Sequence, residues 1–152
     1  MRRVLAVASV SLLILAACGG SDSTGPGTLA HGTLSASVNG ASWSPVALSA
    51  TYSNGILAVG GSNSVATLAF AGFVSGPATI STSGPGFANA TYSSNTAAWG
   101  AASGTPGGIV SITVTSLTTT TAAGSFSFTL PPSAGTTASG TKTITGTFNV
   151  KF

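Results

Sequence analysis

From Thr33 onward the recurring sequence signal is an apolar side chain at every second residue of short segments. That period, more than anything else in the chain, restricts what it can fold into. Leu34, Ala36 and Val38 alternate with Ser35, Ser37 and Asn39. Successive side chains of a strand point to opposite faces, so this pattern places one face in a core and the other in water. Asn39-Gly40 and Asn54-Gly55 follow apolar stretches, and Asn and Gly both tolerate the positive φ of a type I′ hairpin turn. No window of useful length carries a helical period. The expected fold class is all-β.

Taken in order, the next strand carries Trp43, Val46, Leu48, Ala50 and Tyr52, with Pro45 near its start, where a missing donor does least harm. Short apolar strands are expected over 56–60 and 65–74, around a Gly-Ser-Asn-Ser loop. Gly76-Pro77 turns the chain into 78–82, and Ser83-Gly84-Pro85-Gly86 turns it again. Segments 87–92 and around Trp99 alternate less clearly. Residues 109–117 read as a β-branched strand through Ile109, Ile112 and Val114. The C-terminal third holds an internal echo. Gly124, Phe126, Phe128 and Leu130 match Gly146, Phe148, Val150 and Phe152, each set on one strand face, and the two segments are expected to pair antiparallel. Short strands separated by turns point to an antiparallel β-sandwich, with an up-and-down β-barrel as the alternative.

The N-terminal segment is of another kind. Arg2 and Arg3 precede a mostly apolar run from Val4 to Leu15, and Leu15-Ala16-Ala17-Cys18 closes it. The run falls short of the roughly 20 residues a membrane-spanning helix needs. Cys18 has no second cysteine to pair with. The stretch resembles a bacterial lipoprotein signal with its lipobox. That resemblance implies that residues 1–17 are removed and that Cys18 becomes the first residue, carrying acyl chains such as palmitate. Residues 18–32 are rich in Gly, Ser, Thr and Pro and read as a flexible tether of about 20 Å reach. The β-domain is then 33–152. Gly19 after the cysteine, in place of Asp, points to the outer membrane of the cell envelope.

Charge limits the chemistry. Beyond the signal the charged side chains are Asp22, Lys142 and Lys151, against about 25% in ordinary domains. Two lysines against one aspartate make no nucleic-acid footprint. Paired-carboxylate catalysis is impossible with one carboxylate. A Ser-His-Asp triad would have to recruit Asp22 and His31 from the tether, which cannot preorganise them. A Ser–Lys dyad on Lys142 is formally available, but serines are too abundant for that to carry a signal. Zinc wants Cys and His in numbers, and calcium wants several carboxylates. The expectation is a protein that is not an enzyme, with no catalytic residues, no metal and no cofactor.

Binding remains. Trp43, Trp99, Tyr52 and Tyr92, with Asn54, Asn63, Asn89 and Asn95, could make an aromatic and amide surface for a glycan. Trp43 and the tyrosines fit the core better, since aromatics dominate cores. Trp99 lies among alanines and glycine without alternation and is the ligand-binding candidate, being the aromatic expected to be exposed. The Thr118–Thr121 run reads as a solvated loop, and Asp22-Ser23-Thr24 resembles a bacterial O-glycosylation acceptor.

Val38-Asn39-Gly40-Ala41-Ser42-Trp43, together with Gly124-x-Phe126-x-Phe128 and Gly146-x-Phe148-x-Val150, is similar to a family of small bacterial lipoproteins of unknown function. Those proteins open on Val-Asn-Gly-x-x-Trp and close on a Gly-x-Phe strand pair. The resemblance implies a lipid-anchored envelope protein and assigns no catalytic residue. The expected role is a structural or interaction domain held to the membrane through Cys18 and engaging another envelope protein. A carbohydrate-binding or adhesive module is the alternative.

Overall fold

The computed structural model describes residues 30–84 and 86–152. They form an all-β domain of two antiparallel sheets that do not close into a barrel. The strands are β1 Gly32–Val38, β2 Ala41–Trp43, β3 Ala47–Ser53, β4 Ile56–Ser62, β5 Thr67–Phe73, β6 Ala78–Ser81, β7 Ala88–Ser94, β8 Ala97–Ala102, β9 Ile109–Leu117, β10 Thr121–Leu130 and β11 Lys142–Lys151. One sheet has six strands in the order β2-β1-β11-β10-β9-β6. The other has five, in the order β3-β4-β5-β7-β8. The sandwich expected from the alternation is therefore the observed architecture.

Three tight hairpins set the register. Asn39 and Gly40, at φ 49° and 86°, join β1 to β2; Asn54 and Gly55, at 51° and 78°, join β3 to β4. Both are the Asn-Gly pairs the sequence marks. Asn95, at φ 53°, turns β7 into β8 without a following glycine. Asn reaches the left-handed region more readily than most residues, which is why this turn is permitted yet poorly advertised.

The expected strand through Trp43, Val46 and Leu48 is two strands. Trp43 ends β2 in the six-stranded sheet, and Leu48 belongs to β3 in the other. Pro45 has no N–H for a ladder, so the chain leaves one sheet there and joins the second, and Val46 is 73% exposed at the crossing. The expected strand over 65–74 likewise starts later, at Thr67. Asn63 Oδ1 accepts the backbone N–H groups of Val65 and Ala66, at 3.0 and 2.9 Å, and holds that stretch as a loop.

The C-terminal echo has a packing cause. In the β10–β11 register Gly124 stands opposite Phe148 and Gly146 opposite Phe126. A Cβ on Gly124 would meet the Thr113 carbonyl and the Phe148 ring; one on Gly146 would meet the Ser35 carbonyl and the Phe126 ring. Each glycine thus clears room for the phenylalanine across from it. From the other sheet Phe70 packs against Phe126, Phe148 and Phe128, with ring centroids 5.0, 5.6 and 5.5 Å away. These four rings join the two sheets, and Phe126, Phe128, Phe148 and Val150 are all buried as the alternation requires.

Candidate functional site

Cys18 and Asp22 lie outside the described residues. His31, assigned by composition to the tether, is tied to the domain. Its carbonyl accepts the Lys151 N–H at 2.8 Å, and its Nδ1 lies 3.1 Å from the Lys151 carbonyl, a contact that requires the proton on Nδ1. The imidazole is exposed. Among the described residues no group of three or more His, Cys, Asp or Glu side chains lies together.

Trp99 is not the exposed aromatic expected from its small neighbours. It is 7% exposed, and its ring packs on Tyr92 with centroids 5.8 Å apart. The connection between β10 and β11 runs along β8 and covers it. Gly100 N–H donates to the Pro131 carbonyl at 3.1 Å, Ser133 N–H donates to the Ala98 carbonyl at 2.8 Å, and Trp99 Nε1 donates to the Gly140 carbonyl at 2.9 Å. Lys142 Nζ sits 4.6 Å from the Trp99 ring centroid, closing the aromatic face with a cation. Burial raises the Tyr92 pKa above the ordinary tyrosine value.

The other members of the aromatic–amide set are scattered. Trp43 is buried with its Nε1 unpaired, and Tyr52 donates its hydroxyl to the Val74 carbonyl at 3.0 Å. Asn54 and Asn95 are turn residues, and Asn63 is spent on its own loop. The Thr118 hydroxyl accepts the N–H groups of Thr120 and Thr121, so that run is a self-contained turn. Of the set, only Asn89 stands on an open face.

That face is the outer side of the five-stranded sheet. Its outward positions on β4 and β5 are filled by Ala58, Gly60, Ala69 and Ala71, so the middle of the sheet is a shallow trough of about 370 Å³. Ser49 and Thr51 of β3 line one flank; Asn89 and Thr91 of β7 line the other. At one end three larger apolar side chains stand in a row. Ile56 is the register partner of Phe73, whose N–H donates to the Phe87 carbonyl at 2.9 Å. Phe73 and Phe87 are 52% and 47% exposed. No charged residue lies on β3, β4, β5, β7 or β8.

The outer side of the six-stranded sheet differs in kind. It is carpeted with hydroxyls, some of them paired across strands: Ser35 with Thr147 at 3.1 Å and Thr79 with Thr113 at 2.9 Å. The sandwich therefore turns a hydroxyl face to one side and a smoother, more apolar trough to the other. The trough can accept a flat or extended partner through dispersion and a few neutral hydrogen bonds. It has no group that titrates or acts as a strong nucleophile.

In the sequence the small outward residues of β4 and β5 belong to short apolar strands and carry no mark of their own. Nothing local said that they would line up on two adjacent strands between β3 and β7. No protein-family model, no curated protein and no solved structure matches this chain.

Proposed function

We propose that the protein is a lipid-anchored component of the bacterial cell envelope whose β-sandwich is a non-catalytic interaction domain. On this reading the partner docks on the trough of the five-stranded sheet. The observation that carries it is the contrast between the two outer faces. Solvated sheet faces ordinarily present polar side chains. The hydroxyl-rich face meets that description, whereas the Ala58–Gly60–Ala69–Ala71 floor with its row of Ile56, Phe73 and Phe87 leaves an unpaired apolar surface of the kind that marks interaction sites. The lipoprotein-like segment ending at Cys18 and the resemblance to small bacterial lipoproteins support the envelope setting. Two lysines and no carboxylate in the β-domain support a role without acid–base catalysis.

The carbohydrate-binding alternative loses its aromatic candidate, because Trp99 is covered by the chain's own loop. What it retains is the Asn89 amide with three hydroxyl residues around the trough.

The test is position-specific photo-crosslinking in the native host. A crosslinking residue at Ala69, on the trough floor, should give discrete adducts. The same residue at Thr145, on the hydroxyl face, should not. Adducts of equal yield from both faces, or from Thr145 alone, would contradict the assignment. A glycan-containing adduct at Ala69 would favour the carbohydrate reading over an envelope protein.

A further inference from the structure

The outermost strand of an open sheet leaves a row of N–H and C=O groups without ladder partners, and such an edge is a template for another strand. Among the described residues, the edges of this sandwich are kept short or covered with one exception. The six-stranded sheet ends on β2 and β6, of three and four residues. The five-stranded sheet ends on one side at β8, where the connection from β10 to β11 binds the Ala98 carbonyl and the Gly100 N–H. On its other side it ends at β3, seven residues long, whose strand partner among the described residues is β4 alone. Edge strands are ordinarily protected by charge, proline or a bulge. Residues 47–53 contain no charged side chain and no proline, and their register with β4 runs through without a shift.

From this we infer that β3 is an interface between two copies of this chain: it pairs antiparallel with the β3 of a second copy, about a two-fold axis through Ala50. Two observations select a second copy as the occupant. The first is self-complementarity. Leu48 and Ala50 are buried and Tyr52 half-buried on the core face, while Ala47, Ser49, Thr51 and Ser53 are exposed on the other. Residues opposite each other in a ladder share a face, so the axis must pass through a residue. Centred on Ala50, all seven residues pair: Leu48 meets Tyr52, Ser49 meets Thr51 and Ala47 meets Ser53. Apolar thus faces apolar and hydroxyl faces hydroxyl, with the small Ala50 at the axis. A shift of the axis to Ser49 or Thr51 leaves two residues of the strand without a partner. The second observation is charge. Both lysines of the domain belong to β11 in the other sheet, so no like charges oppose each other across a β3 pair. The contact is isologous and closes at two copies. It joins two five-stranded sheets edge to edge and brings the Ser49–Thr51 flanks of their troughs together. This pairing depends neither on Cys18 nor on what docks in the trough.

The test uses the full chain in detergent, with every variant compared with the parent by thermal melt to confirm folding. Ser49→Cys and Thr51→Cys proteins are mixed in equal amounts in a glutathione redox buffer. Disulfides are located by peptide mass spectrometry, so that any bond through Cys18 is recognised as such. In the proposed register positions 49 and 51 of the two copies stand directly opposite, about 5 Å apart at Cβ, whereas 49 and 49, or 51 and 51, are diagonal at about 7–8 Å. A disulfide closes the first distance with slight adjustment and not the second. The bond from 49 to 51 should therefore exceed 49–49 and 51–51 several-fold. Independently, sedimentation of the parent should show a dimer that grows with concentration. A Ser49→Lys, Thr51→Lys double variant, which sets lysine against lysine across the axis, should stay monomeric at the same concentrations. A random distribution among the three disulfides, a parent that stays monomeric, or a double variant that dimerises as the parent does would each overturn the β3 pairing. The trough's partner is read separately, by crosslinking at Ala69, and stands or falls on that result.

Discussion

Phe70, Gly124 and Gly146 show at single residues what holds this domain together. Gly146→Ala places a methyl against the Ser35 carbonyl and the Phe126 ring, and backbone cannot yield as a side-chain tip can. Overpacking of this sort typically costs about 1–3 kcal/mol, and chemical denaturation should place Gly146→Ala at the upper end of that range. Phe70→Ala removes the ring shared by three others from the opposite sheet and should cost about 3–5 kcal/mol by the same measurement. Tyr92 gives a pH signature. Burial raises its folded pKa, so the neutral phenol is favoured in the native state. The associated stability is fully present below the unfolded value of about 10 and is lost as pH rises through the folded pKa. Stability measured from pH 9 upward should therefore fall more steeply in the parent than in Tyr92→Phe. The burial of Phe126, Phe128 and Phe148 was legible in the sequence, since each alternates with Ser, Thr or Asn. The role of Gly124 and Gly146 was legible only as an echo, because its cause is the register between two strands.

At the level of elements, turns were easier to read than sheet membership. Asn39-Gly40 and Asn54-Gly55 carry their own backbone requirement and appear where expected. The passage from β2 to β3 does not, since a proline inside an apolar run marks an edge, a bend or a change of sheet alike. Trp99 failed as an exposed candidate for a related reason. Its cover comes from residues 131–140, about thirty to forty positions further along the chain, and local composition carries no trace of that contact. The same connection satisfies backbone groups of Ala98 and Gly100 on the outer edge of β8, which protects an otherwise open strand edge. Excising 134–138 in a Trp43→Phe background, which leaves Trp99 as the sole tryptophan, should raise acrylamide quenching of its fluorescence and promote self-association by gel filtration. Unchanged quenching would show that Trp99 is shielded by the β-sheet core alone.

At the scale of the whole molecule, the described residues make a nearly uncharged domain with two unlike outer faces, which on the proposed reading is held at a membrane. A freely diffusing protein of near-zero net charge is prone to associate, and the proposed tethering would limit that tendency. The domain needs no titrating side chain for such a role, so an Asp22→Asn, His31→Gln double variant should match the parent in any binding or phenotypic assay, with the anchor kept. The fold class followed from the period-two alternation, but the trough did not, because it exists only once β3, β4, β5 and β7 stand side by side. Everything proposed about its setting depends on Cys18. Mass spectrometry of the N-terminal peptide of the protein recovered from its native membrane tests this most directly. The account predicts a mature chain beginning at acylated Cys18, and a Cys18→Ser variant that is either unprocessed or released from the membrane fraction. A mature chain that retains residues 1–17, or that begins elsewhere with Cys18 unmodified, would contradict it.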